Sequence, residues 1–166
     1  MSKVWYFVGG LIGAGVLGYF WFKNYSFSDK FLVKANGHYL KFNLFAPAQL
    51  EIYLDITSKL PVDVTIKGYN LDLFINENMI KNVESSQNQK LVKNEASRIV
   101  ISTTFSPLKL TKNVANISIL KEIISKPLQN YVQIKGSIDV EAVGLNFNKL
   151  PIDIKITLAD FLNTSA

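Results

Sequence analysis

The sequence predicts a mainly β protein: an antiparallel β-sandwich of the immunoglobulin or fibronectin-III-like kind with one short helix, preceded by an amino-terminal transmembrane helix. Three observations carry this. Val4 to Phe22 is a run of nineteen residues without a charge. From residue 38 onward, aliphatic and polar residues alternate in short runs separated by turn signals, which is the pattern of half-buried strands. The chain has 166 residues, 48% hydrophobic and 19% charged. That is enough for one domain with a core, and too apolar for a disordered chain.

The first element is the apolar segment VWYFVGGLIGAGVLGYFWF. At about 1.5 Å rise per residue it is close to the thickness of a bilayer core. Trp5 and Tyr6 stand at one end, and Tyr19, Trp21 and Lys23 at the other. Amphipathic aromatics at both ends mark a spanning helix. A cleaved signal peptide has a shorter apolar stretch and a small-residue cleavage site; here the run ends in bulky aromatics. A buried core helix needs no such girdles. Gly9 and Gly13 form a G-x-x-x-G pair, and Gly10, Ala14 and Gly18 repeat the spacing. Small residues four apart share a helix face and let a second helix approach, so a helix-mediated oligomer is expected. No ionisable residue lies within the run, so it carries no signal for transport or proton relay. Lys3 precedes it; Lys23, Lys30 and Lys34 follow. The positive-inside rule places the following domain on the cytoplasmic or equivalent interior side. The domain boundaries are residues 1–24 for the anchor and 25–166 for the sandwich.

The strands follow in order. His38 to Phe45 reads as the first. In Leu50 to Thr57 the even positions are aliphatic and the odd ones mostly polar. Val62, Val64 and Ile66 alternate with polar residues, as do Tyr69, Leu71, Leu73 and Ile75; Phe74 breaks the second pattern. Arg98 to Phe105, Val132 to Val140 and Ile152 to Leu158 complete the set. Lys59-Leu60-Pro61 separates two strands, Asn76-Glu77-Asn78 reads as a tight turn, and the polar run Ser85 to Asn94 reads as an exposed loop. Gly144 separates the last two strands. Val114, Ile117, Leu120, Ile123 and Ile124 recur at helical spacing, with Thr111 or Asn113 as cap and Lys126-Pro127 as stop, so one helix is expected there.

Three stretches resemble the late-embryogenesis-abundant type 2 family, also called the water-stress and hypersensitive-response domain. They are LEIYLDITSKLPVDVTIKGYNLDLFINENMI, VKNEASRIVISTTFSP and YVQIKGSIDVEAVGLNFNKLPIDIKITL. The resemblance covers residues 38 to 160 and rests on packing and turn motifs. Two departures stand out. Lys59-Leu60-Pro61 replaces the family's Asn-Pro turn, and Met79-Ile80 replaces its Ile-Gly. The resemblance implies a sandwich behind a membrane helix and a non-enzymatic role in stress protection or at membranes.

Composition excludes several chemistries. Zero cysteines exclude disulfide scaffolds, zinc–thiolate sites and thiol nucleophiles. His38 is the single histidine, so no multi-histidine metal site exists. The net charge is +5, but two of the lysines flank the apolar segment and Arg98 is the only arginine. Arginine is the residue that reads phosphates and bases in bidentate fashion, so no nucleic-acid partner is expected. Glu51, Tyr53 and Asp55 share a strand face, as do Asp139 and Glu141. Each lies opposite its strand's aliphatic residues, where a solvated face is the ordinary reading. No phosphate-binding loop or G-x-S-x-G motif is present, and nothing places a nucleophile beside a base. No catalytic residue, cofactor or metal is therefore expected. Tyr53 and Phe74 are outward aromatics and candidates for a partner surface.

Three functions fit. The first is a membrane-anchored binding or structural module, with membrane lipid and protein partners. The second is a structural component of a larger assembly, such as a membrane-containing virion or a cell-envelope complex. The third is a lipid or apolar-ligand carrier, which needs an apolar cavity between the sheets.

Overall fold

Alternation of aliphatic and polar residues builds two antiparallel sheets, because each strand then has one face to bury. The computed structural model describes residues 27–42, 46–107, 125–142 and 145–162. The chain divides into two compact units, Met1–Lys30 and Phe31–Ala166. In the first, Phe27–Lys30 is a 3-10 turn.

The second unit holds the strands β1 (Phe31–Lys41), β2 (Ala48–Ser58), β3 (Val64–Ile75), β4 (Asn78–Ser85), β5 (Gln89–Leu91), β6 (Ala96–Phe105), β7 (Tyr131–Ala142) and β8 (Leu145–Thr157), then a helical turn, α1 (Leu158–Leu162). One sheet has the order β1-β2-β6. The other has the order β4-β3-β7-β8, with β5 beside β3 as well. β4 and β5 lie on the same side of β3, as two halves of one interrupted edge strand: Tyr69 to Ile75 pair with β4, and Val64 to Ile66 pair with β5.

The core is aliphatic. Leu50, Ile52, Leu54 and Ile56 of β2 and Ile99 and Ile101 of β6 come from one sheet; Ile66, Leu71, Leu73 and Ile75 of β3 and Val132, Ile134, Ile138 and Val140 of β7 come from the other. Burying each such side chain stabilises by about 1.5–3 kcal/mol before entropy is counted. At the crossover from β2 to β3, the buried Leu60 donates its N–H to Ser58 Oγ at 3.2 Å. Thr157 caps α1: Asp160 Oδ2 accepts from its N–H at 3.1 Å and from its hydroxyl at 2.8 Å, the reciprocal half of a capping box. Phe161 of that turn is buried against Gly37 of β1.

Several expectations need correction. The two strands expected at Val62–Lys67 and Tyr69–Asn76 are one, β3, since a bulge between Ile66 and Gly68 bends the ladder without ending it. The expected loop Ser85–Asn94 contains β5, and Leu91 is fully buried; a three-residue strand is too short to show alternation. β1 starts at Phe31, not His38, and β8 at Leu145. β4 is the strand that the Asn76-Glu77-Asn78 turn implies but whose extent the sequence leaves open, and α1 is not expected. Only Ile80 of β4 is buried, and the exposed Met79 and half-buried Val83 fall among polar residues, so this edge strand shows no clean alternation. The tight turn at Asn76-Glu77 is present, with φ of 45° and 69°.

The expected helix at residues 114–124 lies outside the described residues. So does the whole anchor, with Trp5, Tyr6, Gly9, Gly13, Ala14, Gly18, Tyr19, Trp21 and Lys23. Among the described residues, no helix is long and apolar enough to cross a membrane.

Candidate functional site

The outer face of the β1-β2-β6 sheet gathers His38, Glu51, Tyr53 and Asp55, four of the side chains that the sequence singles out. Register explains how. Lys34, Asp55 and Arg98 lie in one cross-strand row, and Asn36, Tyr53 and Val100 in the next. The pairing of β1 shifts between Gly37 and Tyr39, leaving His38 as the extra residue of a bulge. That bulge re-aims the imidazole, which stacks on Tyr53 with centroids 4.3 Å apart and planes 19° from parallel. His38 Nε2 lies 3.6 Å from Glu51 Oε1.

Arg98 completes the stack. Its Cζ lies 4.5 Å from the Tyr53 ring centroid, within cation–π range. Its fork holds Asp55 through Nε to Oδ1 at 2.7 Å and a second N–H to Oδ2 at 3.0 Å. Asn36 Nδ2 donates to Oδ2 of the same carboxylate at 3.4 Å. The bonded Arg98 guanidinium holds the Asp55 carboxyl below the usual carboxylate range, against a smaller desolvation effect. Asp55 in turn raises the guanidinium. Desolvation, then the neighbouring Glu51 carboxylate, push the Tyr53 phenol up.

The result is a pre-ordered tyrosine–arginine pair on a sheet face. Leu32, Tyr39 and Val100 surround it as exposed large hydrophobics, with Val100 50% exposed. Tyrosine and arginine are the side chains most often found at energetic centres of interfaces, and held rotamers lower the entropy cost of binding.

Phe74 is elsewhere. It stands on the outer face of the other sheet, half-buried, with Lys135 Nζ 5.7 Å from its ring centroid. The structure therefore does not join Tyr53 and Phe74 into one patch. Glu141 pairs with Lys67 at 2.8 Å, whereas Asp139 is exposed at a surface cleft. Among the described residues, no group of three or more His, Asp or Glu could hold a metal ion. The partnership of Arg98 with Tyr53 and Asp55 has no signal in the sequence, since 43 positions separate Arg98 from Asp55.

No family model matches the chain, and no curated protein matches it. Solved structures do. A target of the Northeast Structural Genomics Consortium aligns with a TM-score of 0.54 at 9% identity, over 78% of this chain and 87% of its own. A Bordetella pertussis protein, assigned provisionally as ApaA, aligns at 0.51 and 11% identity, over 76% of this chain and 92% of its own. At these identities the likeness concerns the fold alone.

Proposed function

We propose that this chain is a non-enzymatic, single-pass membrane-anchored binding or structural module resembling late-embryogenesis-abundant type 2 proteins. Its strand order, β1-β2-β6 against β4-β3-β7-β8, is read as fibronectin-III-like. The carrying observation is the uncharged run Val4–Phe22, with aromatics and lysines at both ends, ahead of the separate unit Phe31–Ala166. The anchor supplies location. The Tyr53–Arg98 face supplies the contact surface for a protein partner.

A carrier of apolar ligands finds less support. Two clefts among the described residues lie at the sheet margin and carry hydroxyl and amide groups beside Ile66, Tyr69, Ile99 and Val100. The assembly-component reading shares the anchor and the contact face and differs only in the partner. The test is alkaline extraction of membranes bearing the full chain, with a photo-crosslinker at position 53 or at position 74. The proposal expects the chain to remain in the lipid fraction and position 53 to give discrete crosslinked species. Release into the alkaline supernatant overturns the anchor. Equal crosslinking from both positions overturns the assignment of the contact face.

A further inference from the structure

A second site lies where the edge strand of the five-stranded sheet breaks. β4 leaves β3 at the pair Ser85–Tyr69, and β5 rejoins it at Gln89–Ile66. Between them, Ser86, Gln87 and Asn88 stand outside the ladder. Two adjoining clefts of about 380 and 580 Å³ open there, sharing Tyr69, Ser85 and Gln87.

The break is built by glycine. A Cβ on Gly68 would stand 2.3 Å from the Ser85 carbonyl oxygen, so only glycine lets the β4 end settle against β3. The bulge beside Gly68 also sets the direction of Tyr69. Tyr69 pairs with the buried Ile138 and falls in step with Leu71 and Leu73, so it belongs to the inward series. It is half-exposed and lines the smaller cleft together with Ile99 and Val100 of β6.

Hydrogen-bonding groups surround this ring. Gln89 Nε2 donates to the Arg98 carbonyl at 3.1 Å, which ties the floor of the smaller cleft to the edge of β6. Ser85 Oγ accepts from the Gln87 N–H at 3.2 Å, which shapes the loop. The side-chain amides of Gln87 and Asn88 and the hydroxyl of Ser86 stand exposed at these clefts. The charged side chains at the larger cleft are mixed in sign, Lys149 against Glu84 and Asp139, and the Arg98 guanidinium beside the smaller one is already held by Asp55.

We infer that this cleft is a binding site for a neutral saccharide. A pyranose offers an apolar C–H face and a rim of hydroxyls. The Tyr69 ring suits the face, through apolar contact and weak C–H interactions. The Gln87 and Asn88 amides suit the rim, since each both donates and accepts. Mixed charge disfavours a polyanion, and the amide-lined wall disfavours an acyl chain, whose burial would strand those groups without partners.

The test uses the full chain in lipid nanodiscs, free of sugar-based detergents. It is titrated with neutral cello-, chito-, manno- and malto-oligosaccharides and followed by NMR or calorimetry. Saturable binding to at least one series is expected in the millimolar to micromolar range, about −4 to −8 kcal/mol. Tyr69→Ala should weaken it at least tenfold, Tyr69→Phe should keep it, and Gln87→Ala with Asn88→Ala should weaken it without changing the thermal midpoint. No saturable binding to any series overturns the inference. So does binding that survives both the Tyr69→Ala and the Gln87→Ala/Asn88→Ala changes, or preference for sulfated glycans or fatty acids over all neutral oligosaccharides.

Discussion

Arg98 is the only arginine in the chain, and its fork closes on Asp55 beside an aromatic stack. Lysine cannot reproduce that geometry, because an ammonium is a point charge. The Asp55 carboxyl is held below its ordinary value in the folded protein, chiefly by the Arg98 hydrogen bonds. A group with a depressed folded pKa adds stability above its unfolded pKa, near 4, and loses it as pH falls through the folded value. Asp55→Asn should therefore lower the thermal midpoint at pH 7, and the difference from the parent should shrink as pH is taken from 5 toward 2. A difference that stays constant over that range would show that Asp55 acts by shape and not by charge. The outward placement of Tyr53 and Asp55 was legible in the sequence, because the alternation of β2 is unbroken. Their partnership with Arg98 and His38 was not, because sheet register and a bulge bring those residues together from distant positions.

At the scale of elements, the strands that were legible are β2, β3 and β7, whose aliphatic residues repeat every second position to fill the core. The extent of edge strand β4 and the whole of β5 were hidden because few of their side chains are buried, and backbone pairing leaves no trace in residue type. The β3–β4 hairpin shows a conflict between local and global demands. Its two-residue turn requires positive φ at Asn76 and Glu77, the geometry that matches the twist of adjoining strands. Asparagine tolerates this; glutamate pays about 1 kcal/mol for it. Glu77→Gly should raise stability by about 1 kcal/mol in denaturant unfolding, and a neutral or destabilising result would mean that the Glu77 side chain is needed at the turn. Gly136 is the opposite case. Its φ is +148°, and a Cβ would stand 2.1 Å from the Asn70 carbonyl oxygen in the adjacent strand. Gly136→Ala should cost at least about 2 kcal/mol by combined strain and clash. A smaller loss would mean that β3 and β7 can separate locally without cost.

At the scale of the whole molecule, the proposed function asks opposite things of the two parts of the chain. Residues 1–24 are read as a segment for lipid, whereas the unit Phe31–Ala166 carries its own aliphatic core between two sheets. A unit with its own core folds without its neighbour. Deleting residues 1–24 should therefore leave a domain that stays in solution, unfolds cooperatively and no longer sediments with membranes. Within that shortened chain, Leu73→Ala should lower stability by about 2–5 kcal/mol, the range for truncating a fully buried leucine. These two results separate the roles. If the shortened chain folds and leaves the membrane, the first segment provides location and the sandwich provides contact. If it aggregates with no cooperative transition, the sandwich depends on the first segment for folding. A shortened chain that still sediments with membranes would move the lipid contact onto the sandwich itself. The exposed face carrying Leu32, Tyr39 and Val100 would then be the first surface to change to polar residues.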